Sequence, residues 1–458
     1  MKQQAQKTYA KALGASLIAS SMLVVTASAR AQTTESAELR QVKQELLELK
    51  NSYELRLKDI DARLKQAEMS SASAQVPAAV QASAKSGGGF NPDTTLILSS
   101  RFAKLDKDSS KYRIKGFRTA EGIDPGARGF GLGESELGLS ANVDHLFYGA
   151  LNLALDSDNS VGVEEAFIQT TALPYGLTVK AGRFLSALGY QNEQHAHTWD
   201  FADAALPMQA FLGGQYKQEG LQARWLLPTL QYLELVAEAG RGAEFPSAAQ
   251  DKNKPNAISL GLRTGGDLGR SNSWKAGISV LKTKPSGRVS QDFDLAGNDV
   301  SNEFSGNSNL YIIDGVWKWA PNGNARNQNF KLQGEYFSRK ENGMLTYDST
   351  NSAQTDTYSA KQSGWYLQGV YQFMPAWRVG LRTEQLNSGN PNYAGNAANF
   401  ASAGLKPQRN SMMLDWSPSE FSRVRLQMTQ DKSALGAATK QWYLQYQMSL
   451  GAHGAHNY

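Results

Sequence analysis

At 458 residues, with 47 Lys and Arg against 42 Asp and Glu and no cysteine, the chain has a formal charge of only +5 and neither disulfide nor thiolate chemistry open to it. The charge is spread through alternating patterns without a like-sign block, which excludes nucleic acid as a partner. Past residue 31 no apolar run approaches the roughly 20 residues of a spanning helix, which excludes a helical membrane protein; 18 Tyr, 17 Phe, 9 Trp and 42 Gly suit the girdles and bends of a β-barrel.

Lys2, Lys7 and Lys11 precede an apolar stretch from Ala12 to Ala27, and Ala29 and Ala31 frame an A-x-A site before Gln32. Residues 1–31 are therefore expected to be a cleaved signal peptide rather than an anchor, since Ser16, Ser20 and Ser21 break the stretch. Over 35–69 the composition shifts to Glu, Lys, Arg, Gln and Leu. Leu39, Val42, Leu46, Leu49 and Tyr53 take coiled-coil steps, a stutter leads to Leu57, and Ile60, Leu64 and Ala67 continue the series. A seam of about five heptads is stable chiefly as an oligomer. The segment is expected to be a periplasmic coiled coil that brings copies together, with a trimer as the working number and a lone helix on the barrel rim as the alternative. Residues 70–89, rich in Ser, Ala and Gln and ending Gly87-Gly88-Gly89, read as a flexible linker.

From Thr94 onward the period is two. In the last strand Trp442, Leu444, Tyr446, Met448 and Leu450 share one face, and Gln441, Tyr443, Gln445, Gln447 and Ser449 the other. One face suits lipid, the other a watery lumen. The alternation predicts strands over 94–104, 134–143, 148–156, 163–172, 177–185, 215–227, 231–242 and 257–268. Eight more are predicted over 273–284, 309–320, 329–341, 363–373, 377–387, 407–416, 421–432 and 440–450. Residues 90–458 thus read as an all-β, transmembrane antiparallel barrel of about 16 strands, an even number as in bacterial single-chain barrels.

The joints from strands two to three, four to five (Leu173-Pro174-Tyr175-Gly176), six to seven, twelve to thirteen (Met374-Pro375-Ala376) and fourteen to fifteen (Ser417-Pro418-Ser419-Glu420) read as tight turns. Those from one to two, five to six, nine to ten and eleven to twelve read as long polar loops. Tight turns on one rim and long loops on the other is the asymmetry of outer-membrane barrels, with the tight rim and both chain ends in the periplasm. A soluble sandwich is the competing fold, but some 360 residues of alternating strand exceed one, and its core would receive the Arg and Gln rows.

Strand phase puts Arg224, Arg263, Lys331, Arg378, Arg382, Arg423 and Arg425 in the lumen, with Glu134, Glu136, Glu165, Glu234, Glu238, Glu335 and Glu384. Arg183 joins them if its strand is bulged. A lumen of mixed sign predicts mild ion preference, leaning toward anions near the late-strand arginines. About half of these charges are expected simply to pair and stiffen the wall.

The stretch from Ser186 to Gly214 holds Trp199, Phe201, Leu206 and Phe211 among polar groups. It is expected to fold into or over the lumen as a constriction, or else to pack on neighbouring subunits. His195 and His197, two apart in an extended segment, would point to one side. Glu193, Asp200 or Asp203 nearby could complete a zinc site, ordinary loop histidines being the plainer reading. His453 and His456 form a second pair. No G-x-S-x-G occurs and His145 sits in a tight turn, so no catalytic residue is assigned and the protein is not expected to be an enzyme.

Three stretches carry a resemblance: Gly131-Leu132-Gly133-Glu134-Ser135-Glu136-Leu137, His195-Ala196-His197-Thr198-Trp199-Asp200-Phe201-Ala202-Asp203-Ala204, and the tail Gly451-Ala452-His453-Gly454-Ala455-His456. Together they resemble proteobacterial porin-like outer-membrane proteins with an N-terminal coiled coil, of the kind often described as zinc-regulated. That resemblance implies the same layout of signal peptide, coiled coil and barrel, and an association with zinc. The function expected is passive diffusion of small polar or ionic solutes across the outer membrane by a homo-oligomer embedded in lipid. Capture or uptake of zinc through His195 and His197, with zinc as the only candidate cofactor, and a structural tether are the alternatives.

Overall fold

The computed structural model describes residue 44 and residues 92–451, apart from 157–159, 249–250 and 401–403. The chain divides into two units, Met1–Gly88 and Gly89–Tyr458. The expected signal peptide, coiled coil and linker lie outside the described residues, save residue 44, as do His453 and His456.

Among the described residues the second unit contains eighteen strands in one sheet. They begin with β1 (Asp93–Leu105), β2 (Gly129–Leu132), β3 (Ser135–Asn142), β4 (Phe147–Leu155), β5 (Val161–Thr170) and β6 (Leu177–Leu185). Next come β7 (Lys217–Leu226), β8 (Tyr232–Gly240), β9 (Ala257–Leu268), β10 (Asn272–Thr283), β11 (Arg288–Phe293) and β12 (Asp299–Trp319). The last are β13 (Asn329–Tyr347), β14 (Gln354–Met374), β15 (Trp377–Asn387), β16 (Gln408–Ser419), β17 (Ser422–Asp431) and β18 (Thr439–Gly451). β2 continues β3 along β1, and β11 continues β10 along β12, each across a short interruption. The wall is therefore a 16-strand antiparallel barrel, closed by β1 against β18 from Thr95↔Gly451 to Leu105↔Gln441.

The alternation that forms these strands also sets their faces. On β18, Gln441, Tyr443, Gln445, Gln447 and Ser449 are buried inside, while Trp442, Leu444, Tyr446 and Leu450 are exposed outside. The same phase leaves Leu221, Leu262, Ile278, Ile313, Leu367 and Leu381 exposed on the outer surface. Such a belt is stable in hydrocarbon and unfavourable in water. Trp225, Trp317, Trp377 and Trp416 mark its edge by the tight turns, with Trp377 and Trp416 stacked at 6.1 Å.

All sixteen expected strands are present. Two of the four long joints are instead tall hairpins: β11 and the start of β12 meet around Asp294–Asn298, and β13 and β14 run on to a turn at Asp348–Ala353. In these extensions the apolar residues Phe304, Leu345 and Tyr358 face inward, while the outward positions are mostly polar, with Val289 and Met344 the exposed apolar exceptions. The pattern is the reverse of the belt, so a search for outward apolar rows reads it as loop. The main apolar core lies inside the barrel. Ile114 and Phe117 of the β1–β2 connection, with Leu206, Met208, Phe211 and Leu212 of the β6–β7 connection, pack on inward Leu281, Leu310, Ile312, Phe337, Tyr366 and Leu386.

Candidate functional site: a charged constriction across the lumen

After Leu185 the chain leaves the wall and crosses the lumen. Ser186 Oγ bonds Glu238, and the Ala187 N–H donates to Glu238 Oε1 at 2.8 Å. The Gln191 N–H donates to Glu335 Oε1 at 2.8 Å, and the Asn192 side chain ties the carbonyls of Ser186 and Tyr216 together. A 3-10 turn at Ala196–Thr198 follows, then a short helix, Leu206–Leu212, with Pro207 in its first turn and Gly213 at φ 68 ending it. Its N-cap residue Ala205 offers no side-chain acceptor. The Glu384 carboxylate of β15 takes the Leu206 N–H instead, a wall residue capping a loop helix.

Each loop carboxylate sits between two wall cations. Glu193 pairs with Arg224 of β7 and Arg263 of β9. Asp200 pairs with Lys331 of β13 and with Arg378 of β15 at 3.1 Å. Asp203 meets Arg382 of β15 at 2.8 Å and Arg409 of β16 at 3.2 Å. The wall arginines are also joined to wall carboxylates, Arg382 and Arg409 to Glu384, and Arg378 and Arg425 to Asp415. Arg423 and Arg425 reach in to carbonyls of His197 and Trp199, at 2.8 and 2.9 Å. Burial works against ionisation of Asp200 and Asp203, but the paired cations outweigh it and hold both carboxyls at about 2.

The loop histidines face the opposite sector. His197 Nδ1 lies 2.8 Å from Glu136 Oε1 of β3; His195 Nδ1 lies 2.9 Å from Glu164 and 3.3 Å from Glu136, and its Nε2 lies 3.1 Å from Glu165. Burial opposes charge on His195, yet the hydrogen bonds its ring donates to Glu136, Glu164 and Glu165 prevail and raise it well above the usual imidazole value. The loop is thus charge-complementary to the wall: anionic toward β7, β9 and β13–β16, and histidine-bearing toward β3 and β5.

The structure brings Arg224, Arg263, Arg378, Arg382, Arg423, Arg425, Glu136, Glu335 and Glu384 against this loop, and Glu134 close to Glu136 and Glu164. Arg183 is a correction. It stands opposite Glu219 on the outer face, pairing with Glu219 at 3.1 Å and with Glu244, because β6 runs unbulged along β7. The bulge is in β5, where Glu164 is the extra residue and both Glu164 and Glu165 turn inward. A second correction concerns the histidines. They lie on a 3-10 turn, not an extended segment, and the carboxylates that meet them come from the wall; Glu193, Asp200 and Asp203 are taken by arginine and lysine. Strand phase also places Arg409 and Asp415 inside, a signal available in the alternation with Met412, Leu414 and Trp416.

Two cavities flank the loop. One of about 360 Å³, lined by Glu165, Gln169, Thr178, Lys180, Glu193 and Arg224, lies toward the tight-turn rim. Another of about 200 Å³, bordered by Arg101, Tyr112, Asp203, Gln209, Arg409 and Tyr443, lies toward the opposite rim.

An uncharacterised protein of Aquifex aeolicus (strain VF5) is 31% identical over 404 residues, spanning 82% of this chain and 82% of that protein. The chain belongs to that protein's family. No protein-family model matches the sequence. Among solved structures, a loop-deleted OmpT, an outer membrane protein of Vibrio cholerae, is 11% identical with a TM-score of 0.49, covering 79% of this chain and 99% of its own. The outer membrane channel DcaP of Acinetobacter baumannii is 13% identical with a TM-score of 0.47, covering 79% and 96%. An anion-selective porin from Comamonas acidovorans is 10% identical with a TM-score of 0.46, covering 79% and 99%.

Proposed function

We propose that the protein is a passive diffusion channel of the bacterial outer membrane for small polar or ionic solutes, with the tight-turn rim in the periplasm. The observation that carries this reading is the loop from Ser186 to Gly214, laid across the lumen and pinned to both sides by ion pairs. A constriction held between a glutamate sector and an arginine sector orders water and passes small polar solutes while admitting little net ion preference. The apolar belt and its tryptophan edge supply the lipid-facing surface. Nothing in this arrangement requires an energy source, and the heptads of 35–69 support assembly as a homo-oligomer, a trimer being the proposed number.

The test is single-channel recording of the purified protein in a planar bilayer under a salt gradient. Stepwise openings with a small reversal potential on the anion side are expected. Arg423 donates to neutral acceptors, the His197 and Trp199 carbonyls and Gln447, so Arg423→Gln should move the reversal potential toward cations. A silent bilayer with correctly folded protein would overturn the channel.

A further inference from the structure

We propose that Glu136, His195 and His197, completed by Glu164, form a binding site for a divalent transition-metal cation of the zinc class, clamping the constriction loop to the barrel wall. The site is independent of whether solutes pass through the lumen.

The donor atoms of Glu136, His195 and His197 all lie within 4.8 Å of one another, and so do those of Glu134, Glu136 and Glu164. Four donors at zinc bond lengths of about 2.0–2.1 Å stand about 3.3 Å apart. Here Nδ1 of His195 is 2.9 Å from Glu164 and 3.3 Å from Glu136, and Nδ1 of His197 is 2.8 Å from Glu136. The two histidines meet different oxygens of Glu136, so an ion would be admitted by a small opening of these contacts together with a turn of that carboxylate. Imidazole and carboxylate together suit zinc and its neighbours, not calcium or magnesium, which take oxygen alone.

A separate feature points the same way. With Nδ1 of His195 turned to the cluster, its Nε2 faces Glu165 at 3.1 Å. A carboxylate behind a ligating histidine fixes the tautomer, leaves the lone pair on the inner nitrogen and raises its basicity. Glu165 holds that place because the β5 bulge turns two consecutive glutamates inward. Glu136 and Glu164 are buried, and apart from His195 the ion-pair partner of Glu164 is Lys217, at 3.7 Å. A dication would meet these buried carboxylates with directed bonds.

Cobalt(II) added to the metal-stripped, untagged full-length protein in detergent is the direct probe. We expect one equivalent per chain, with visible d–d bands of a low-coordinate site that zinc abolishes. His195→Ala and Glu136→Gln should each weaken binding by roughly tenfold or more, whereas the double change His453→Ala, His456→Ala should not. Unaltered bands in a His195→Ala, His197→Ala protein, or bands lost only with the tail pair, would overturn the site. Should those variants fail to fold, zinc-edge X-ray absorption of the unaltered protein decides. Imidazole scattering at about 2.0–2.1 Å supports the site, and its absence overturns it.

Discussion

Glu384 joins three parts of the lumen. Its carboxylate receives Arg382 at 2.8 Å and Arg409 at 3.1 Å, and caps the loop helix through the Leu206 N–H. Removing one partner from a buried charge cluster commonly costs about 3–5 kcal/mol. Glu384→Ala should therefore lower the thermal unfolding temperature and make single-channel currents larger and noisier, as the helix loses its wall contact. Asp200 and Asp203 give a prediction in pH. Their carboxyls are held at about 2, below the ordinary 3.8, so their anchoring is fully present above pH 3.8 and is lost as pH falls through about 2. Asp203→Asn should show at neutral pH a loosened, higher-conductance channel, whereas the unaltered protein should keep these two anchors down to about pH 3. A conductance unchanged in Asp203→Asn would mean that the loop does not depend on this pair.

The loop as an element is held as much by packing as by charge. Phe211 is fully buried, edge-on to Phe117 at 5.6 Å and stacked on Phe337 at 5.9 Å, with the Arg339 guanidinium 5.1 Å from its ring. Phe211→Ala should remove about 3–5 kcal/mol of this packing and raise conductance with the barrel intact, read as a preserved β-sheet circular dichroism spectrum. The sequence made the element visible through its length and its aromatic residues in a polar setting. It did not reveal the partners, because Asp200 with Arg378 and Glu193 with Arg263 are pairings between distant segments that no local period encodes. Strands were readable wherever lipid faces them: Leu177–Leu185, Ala257–Leu268 and Trp377–Asn387 have the ends that alternation assigns. Where β12–β14 rise beyond the belt, both sides lose the lipid constraint and the signal inverts. The bulge at Glu164 escaped for a related reason, since a strict period of two can place only one of two adjacent glutamates inside.

At the scale of the whole molecule the barrel is self-contained. β1 and β18 close the sheet over eleven paired positions, from Thr95↔Gly451 to Leu105↔Gln441, so among the described residues the seam has no open strand edge. Among the described residues, the loop that fills the lumen is anchored by residues of this same unit, from Phe117 to Gln427. We therefore expect residues 35–69 to be dispensable for folding the barrel and setting its constriction, and the proposed coiled coil to bear on how many copies assemble. A chain beginning at residue 90 should refold in detergent and keep the unit conductance and reversal potential of the full protein. What should change is assembly: if the coiled coil brings the copies together, cross-linking and light scattering should report smaller oligomers, and currents should appear as single steps rather than coupled ones. Loss of the unit conductance itself would show that the constriction draws on the N-terminal unit, and an unchanged oligomer would place the contact between copies on the barrel wall.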